Sequence, residues 1–355
     1  MIDSSLLHSW LNCGTLISSE KEKLLIGWGK RTWHANPSTS RQKPSFYFPD
    51  YFFSSAFSWF THEYIEEISI HDLIEVLRSN SKNAMKPRQW RNFCEPLFKD
   101  TFLELKQKFE SGQLKKAVPF VFEFANSSMT DEDLRLSLSK VLNYSLHNHA
   151  FLYGFWEANE GMLGATPEIL FRFLDETAVE TMACAGTRNI LEDPSTLLHD
   201  PKELHEHELV VQGIVDSLKC FGIVKTGKVD VLKLSRMAHL VTPISIELKV
   251  QASFEMLAKA LHPTPAVGAF PKENGHMWLR EYQEKVDRKR FGAPAGFIMP
   301  ASKKACCYVA IRNVQWNSQQ LLIGAGCGLV SASRLEKEWA EINLKLQATK
   351  EMLGL

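Results

Sequence analysis

Hydrophobic and polar positions follow two different periods along this chain, and the period changes often. Between 101 and 114, Phe102, Leu105 and Phe109 recur near one face of a 3.6-residue turn. Gly112 follows as a stop, so the spacing predicts a helix. The same period predicts helices over 131–146, 202–219, 253–262 and 334–353. Elsewhere the pattern alternates or runs apolar. Residues 24–33 read as a strand entering a turn, and 116–124, rich in Val and Phe, as a buried strand. Residues 150–158, 168–174 and 179–187 read as successive strands, and 231–250 as alternating strands. Residues 305–316 and 319–330 read as two strands of a hairpin. Residues 36–50 carry three prolines among small polar residues and read as a loop. The aromatic run 46–60 reads as core filling or a covered surface. A nucleobase-stacking platform would need interleaved Arg and Lys, which this run lacks.

Short strands in series, interrupted by a few helices, do not make a regular βαβ alternation. The expected class is therefore α+β, with largely antiparallel sheets and helices outside. Composition narrows the class. The chain has 355 residues, 45% hydrophobic and 23% charged, which excludes disorder for its bulk. Lys plus Arg equals Asp plus Glu, 41 each, so no basic excess points to nucleic acid. The seven cysteines form no CxxC pair, which argues against a disulfide framework or a zinc knuckle and fits a reducing cytosol. The N-terminal residues lack a basic stretch followed by an apolar core, so they do not read as a signal peptide. No run of about 18 apolar residues predicts a membrane span. The expectation is a soluble cytoplasmic protein with no nucleic-acid or membrane partner.

Two predicted helices carry paired carboxylates. Glu203 and Glu206 lie three apart, as do Glu338 and Glu341, with Lys345 four further on. Four carboxylates on two helices could converge on a hard divalent cation such as Mg²⁺. On spacing alone they read as solvated helix faces. His205 and His207 point about 200° apart on a helix, which excludes a helical zinc pair. GAGCG (324–328) lacks the sixth-position glycine and the βαβ frame of a dinucleotide fingerprint. Its glycines would let backbone approach a ligand. Arg312, expected on the preceding strand, is either a surface residue or one half of a carboxylate site.

Ten segments, in order, resemble the chorismate-utilising enzymes. This family includes isochorismate, salicylate and anthranilate synthases and aminodeoxychorismate synthase component I. The segments are GQLKKAV (112–118), GATPEILFR (164–172), ACAGTRN (183–189), DPKELHEHELV (200–210), AHLVTPI (238–244), LHPTPAVGAFPK (261–272), RFGAPAGF (290–297), YVAIRN (308–313), IGAGCGLVSAS (323–333) and EWAEINLK (338–345). Residues 1–100 match loosely and are expected to complete the fold. Residues 101–355 are expected to form the chorismate-binding catalytic region.

The resemblance implies a single α+β domain of two packed, largely antiparallel sheets with helices outside and the active site between them. It implies Mg²⁺ held by Glu206 and Glu341, with Glu203 and Glu338 beside them. It implies Lys116 as the base that activates water and Glu168 as the acid. Substrate contacts would come from Gly186, Thr187, His239, Ala266, Val267, Phe291, Arg312, Gly326 and Lys345. Within the family, Ala185 stands where some members carry a nucleophilic lysine. Ala266 stands where anthranilate and salicylate synthases usually carry Thr. Both residue types are nearest the isochorismate synthases, whose product feeds menaquinone or siderophore synthesis. The alternatives are a salicylate synthase and an inactive binding paralogue. No glutamine amidotransferase partner is expected. Ala269 departs from the family's usual glycine, with an expected effect on the pocket or its loop.

Overall fold

Helices begin where the sequence supplies caps. Thr130 accepts from the Asp133 amide while the Asp133 carboxylate accepts from the Thr130 amide, which starts the helix at Asp131. Asp200 accepts from the amides of Lys202 and Glu203, and Pro201 occupies the first helical position of the next long helix. The closing helix ends at Gly354, which takes a left-handed φ of 72°.

A computed structural model describes residues 4–37, 43–78, 85, 87–92 and 94–355. The middle of the expected 36–50 loop, residues 38–42, lies outside the described residues. In chain order the elements are α1 (Ser4–Asn12), β1 (Cys13–Glu20), β2 (Lys23–His34), β3 (Ser45–Tyr47), β4 (Trp59–Ser69), α2 (Ile70–Arg78), α3 (Glu95–Glu110), β5 (Lys116–Ala117) and β6 (Phe120–Ala125). There follow α4 (Asp131–His147), β7 (Phe151–Glu157), β8 (Glu160–Thr166), β9 (Ile169–Phe173), β10 (Ala178–Asn189), α5 (Pro201–Leu218), β11 (Gly222–Thr226), β12 (Asp230–Lys233) and β13 (Met237–Leu248). The last are α6 (Phe254–Leu261), β14 (Ala269–Phe270), α7 (Lys272–Lys285), β15 (Pro294–Met299), β16 (Lys304–Val309), β17 (Asn313–Trp316), β18 (Leu321–Gly326) and α8 (Leu335–Leu353).

The α+β class holds. Sixteen strands join one hydrogen-bonded sheet, in the order β11-β13-β10-β9-β16-β15-β3-β4-β2-β1-β7-β8-β17-β18-β6, with β12 also paired to β13. β14 and β5 form a separate two-stranded sheet. β10 lies near one end of the long path and β18 near the other, yet both line the same cavity. The sheet therefore curls until its two arms face each other, and the two expected layers are arms of one continuous ladder.

The first hundred residues supply β1 to β4, in the middle of that ladder. The aromatic run packs as core at Phe46, Tyr47, Phe48, Tyr51, Trp59 and Phe60, while Phe57 is exposed. The reading of 305–316 as one strand of a hairpin needs correction. β16 ends at Val309, and Arg312, at a left-handed φ of 56°, sits in the break just before β17 begins at Asn313. β16 pairs with β15 and β9, and only β17 makes the hairpin with β18. Neither β8 nor α7 was expected. β8 is half-hidden by its glycines: a Cβ at Gly161 would strike Trp156 and Trp316.

Candidate active site

β10 and β13 pair so that Thr187 faces His239, with a bulge between Ala185 and Thr187. Gly186 sits in that bulge at φ 76°, a conformation glycine adopts freely. The bulge aims the Thr187 amide at Glu203 Oε2 (3.1 Å), and the Thr187 hydroxyl donates to Glu341 Oε1 (3.0 Å). His239 is fixed from both sides. Its Nε2 faces Arg312 Nη2 at 2.5 Å, and its Nδ1 faces Gly186 O at 3.0 Å. A guanidinium can only donate, so Nε2 accepts and Nδ1 carries the proton. Burial and the Arg312 charge hold His239 well below its ordinary pKa, in keeping with a neutral ring.

Opposite this edge, Lys116 is 1% exposed. Its Nζ donates to Pro265 O at 2.8 Å and lies 3.3 Å from Glu206 Oε1. Burial lowers the Lys116 pKa, against the pull of Glu206. Glu168 is 3% exposed, and its Oε1 has no hydrogen-bond partner among the described residues. Burial raises its carboxyl to about 8, although the charges of Lys116, Lys345 and Arg312 oppose the shift. A base pushed down and an acid pushed up therefore share one interior.

The cavity between the arms is lined by Glu168, Gly186, Thr187, His239, Ala266, Val267, Phe291, Arg312, Gly326 and Lys345, with Glu206 at one wall. All nine residues expected to touch substrate thus border one space. Lys116 reaches that wall through Glu206. Ala185 lines it too. Lys345 Nζ donates to Gly326 O (2.8 Å) and pairs with Glu341 Oε1 (2.6 Å). Ala269 does not border the cavity. It pairs with Ala117 in the small sheet and leaves no room for a Cβ at Gly275 of α7.

Glu203, Glu338 and Glu341 line an adjoining outer cleft that shares Thr187 with the cavity. Glu203, Glu206 and Glu338 converge on the Lys202 ammonium, while Glu341 pairs with Lys345 and Thr187 at the edge of the group. Burial and like charge raise both Glu203 and Glu338 to about 7. Burial also pushes Glu206 up, but Lys202 and Lys116 outweigh it and hold it at about 2. Glu338 Oε2 is buried and makes no close hydrogen bond among the described residues, although the Ser333 hydroxyl lies near the carboxyl. An oxygen-only donor set with such a carboxylate oxygen fits a hard divalent cation. Among the described residues, no three His, Cys, Asp or Glu side chains adopt the spacing of a formed metal site. A residue the sequence reading passed over stands among them. Lys202 Nζ lies 3.1 Å from Glu203 Oε1, 3.0 Å from Glu206 Oε2 and 3.1 Å from Glu338 Oε1. Its i,i+4 spacing to Glu206 was the available signal.

Gly328 was also passed over. A Cβ there would overlap the Glu206 carboxylate and come within 2.5 Å of Lys116 Nζ. His207, dismissed as a zinc ligand, is buried and bonded to Thr242 Oγ1 at 2.7 Å. No helix of the described residues is long and apolar enough to cross a membrane. All seven cysteines are free.

Residues 59–354 match the family model described as chorismate binding enzyme. A Pseudomonas aeruginosa protein, salicylate biosynthesis isochorismate synthase, is 36% identical over 217 residues, covering 59% of this chain and 45% of its own length. Isochorismate synthase MenF of Bacillus subtilis is 31% identical over 272 residues, covering 74% of this chain and 57% of its own. The chain thus spans about half the length of these curated relatives. Among solved structures, a 2,3-dihydroxybenzoate-specific isochorismate synthase, DhbC, from Bacillus anthracis superposes with a TM-score of 0.79 at 22% identity, over 99% of both chains. The menaquinone-specific MenF of Escherichia coli gives 0.76 at 17% identity, over 99% of this chain and 91% of its own. At these identities the superpositions speak to the fold.

Proposed function

We propose that this chain, which belongs to the chorismate-binding enzyme family, is an isochorismate synthase that converts chorismate to isochorismate. The observation that carries the reading is geometric: Glu168 lines the cavity with a buried carboxylate oxygen that has no hydrogen-bond partner among the described residues, and the buried Lys116 reaches the same wall through its pair with Glu206. In this reading Lys116, unprotonated, takes a proton from the water that attacks C2 of the ring. Glu168, protonated, gives its proton to the departing C4 hydroxyl as the double bond migrates. Acid and base on one ring need pKa values drawn toward each other, and burial moves both in the required direction.

Arg312 and the backbone at Gly326 would hold the enolpyruvyl carboxylate, with His239 fixing the guanidinium through the contact already described. Lys345, Gly186 and Thr187 would complete the anion pocket. Ala266, Val267 and Phe291 would supply apolar walls. We assign Mg²⁺ to Glu206 and Glu341, with Glu203 and Glu338 beside them. Bound there, the cation would neutralise and orient the ring carboxylate. All these residues fall in 101–355, where we place catalysis, with 1–100 completing the ladder.

Incubation with chorismate and Mg²⁺, followed by chromatography, tests the reading. Isochorismate as the product supports it. Salicylate with pyruvate would make the chain a salicylate synthase, and unchanged chorismate would leave a binding paralogue.

A further inference from the structure

We infer that the Lys202 ammonium is the internal counter-ion of the four-carboxylate cluster and competes with the divalent cation for it, so that this residue sets the cation affinity. The inference rests on the metal assignment above and adds a residue that assignment does not use.

Lys202 touches three carboxylates, one contact each to Glu203, Glu206 and Glu338 at 3.0–3.1 Å. An ammonium has three donors, so the set is used in full. The contacts tie α5 to α8, the two helices that carry the cluster. They also span both sides of it, because Glu206 borders the inner cavity while Glu203 and Glu338 border the outer cleft. Two further lysines stay at the edges: of the four carboxylates, Lys116 pairs with Glu206 and Lys345 with Glu341. Lys202 alone is central.

The position is also unusual for a helix. Lys202 lies in the first turn of α5, where the dipole disfavours a cation. The carboxylates, not the helix, hold it there. A divalent cation such as Mg²⁺ takes oxygens at about 2.0–2.1 Å and repels a neighbouring ammonium. The same oxygens cannot serve both ions. Lys202 lines the outer cleft, and its side chain is 18% exposed, so its way out leads to solvent.

Mg²⁺ titrated calorimetrically into substrate-free protein tests this, with Mn²⁺ followed by electron paramagnetic resonance as a second probe. Lys202→Met should bind either ion at least roughly tenfold more tightly than wild type, the effect of removing about 1.4 kcal/mol of competition. In chelator its thermal midpoint should fall below wild type, and Mg²⁺ should raise it by more than it raises wild type. Lys202→Arg keeps the charge and folds by the same pairing, so its affinity should not exceed wild type. Unchanged or weaker binding by Lys202→Met, or tighter binding by Lys202→Arg, overturns the inference while leaving the metal assignment intact. Wild type and Lys202→Met that both bind neither ion overturn the metal assignment itself.

Discussion

Lys116 Nζ lies 3.3 Å from Glu206 Oε1, so the proposed base and a proposed metal ligand form one buried ion pair. The pair couples two jobs. Whatever takes charge from Glu206 also weakens the attraction that favours the protonated lysine. Glu206→Gln should therefore abolish turnover through the metal site while leaving the fold intact, and Glu341→Gln should do the same. Chelator should silence the wild type and Mg²⁺ should restore it. Circular dichroism and a chromatographic product assay check both halves, and full activity in excess chelator contradicts the metal assignment.

Lys116→Ala and Glu168→Gln should each lower kcat by about 10²–10⁴, the usual yield of a positioned acid or base. Both should still bind chorismate, because the anion contacts lie on Arg312, Lys345 and the backbone. Equilibrium binding beside single-turnover rates separates the two effects. Near-wild-type kcat in either variant refutes its role.

The paired carboxylates were legible from their i,i+3 spacing, but on spacing alone they read as solvated faces, and only the family resemblance implied that they meet. α5 and α8 are separated by more than a hundred residues, and only the curled ladder brings them together. Lys202 was missed because a lysine in a polar helix start reads as solvated. The environment of Glu168 was equally hidden: its burial comes from tertiary packing, and its sequence position suggests only a strand edge. Arg312 shows the opposite failure. Its neighbours YVAI and NVQW are each good strand residues, so the pattern runs through a backbone reversal that no propensity marks. The helices α3, α4, α5, α6 and α8 were readable because one face of each is apolar, whereas β1, β3, β4, β8 and β15 in the middle of the ladder were not assigned as strands.

Glu168 makes the reaction pH-dependent with a definite sign. It works protonated, so kcat should fall as pH rises through about 8. The residual activity of Glu168→Gln should show no such limb. The same shift appears in stability. The folded value lies above the ordinary 4.5, so the contribution of the neutral carboxyl is complete below 4.5 and is lost as pH rises through about 8. Denaturant midpoints measured between these limits should fall for wild type relative to Glu168→Gln. A gap that stays constant would mean the carboxyl is not shifted.

Gly328→Ala should act on the ion pair without replacing either member. The added methyl overlaps the Glu206 carboxylate and crowds Lys116 Nζ. One or both must move, and a displacement of about 1 Å at a reacting group can cost on the order of 10² in rate. We expect kcat to fall by that order, Mg²⁺ affinity to fall with it, and the far-ultraviolet spectrum to persist. An unaffected enzyme would show that the Lys116–Glu206 geometry is not needed.

Product choice turns on Ala266. It borders the cavity beside Val267, and the carbonyl before it, Pro265 O, anchors Lys116 Nζ at 2.8 Å. Position 266 therefore sits between the proposed base and the substrate space. Salicylate formation requires isochorismate to stay bound while the enolpyruvyl carbon takes hydrogen from C2 and pyruvate leaves. A Thr here, the residue usual in salicylate synthases, would add a hydroxyl able to bond the side chain or a water. Ala266 offers only a methyl, so isochorismate should dominate at neutral pH with little pyruvate. Ala266→Thr should raise the pyruvate-forming fraction modestly, since one such contact is worth about 1 kcal/mol. Ala266→Val has nearly the same shape without the hydroxyl and should not raise it, which separates hydrogen bonding from crowding. A lactate-dehydrogenase coupled assay follows pyruvate continuously. Stoichiometric pyruvate from the unmutated enzyme would move it to the salicylate synthases.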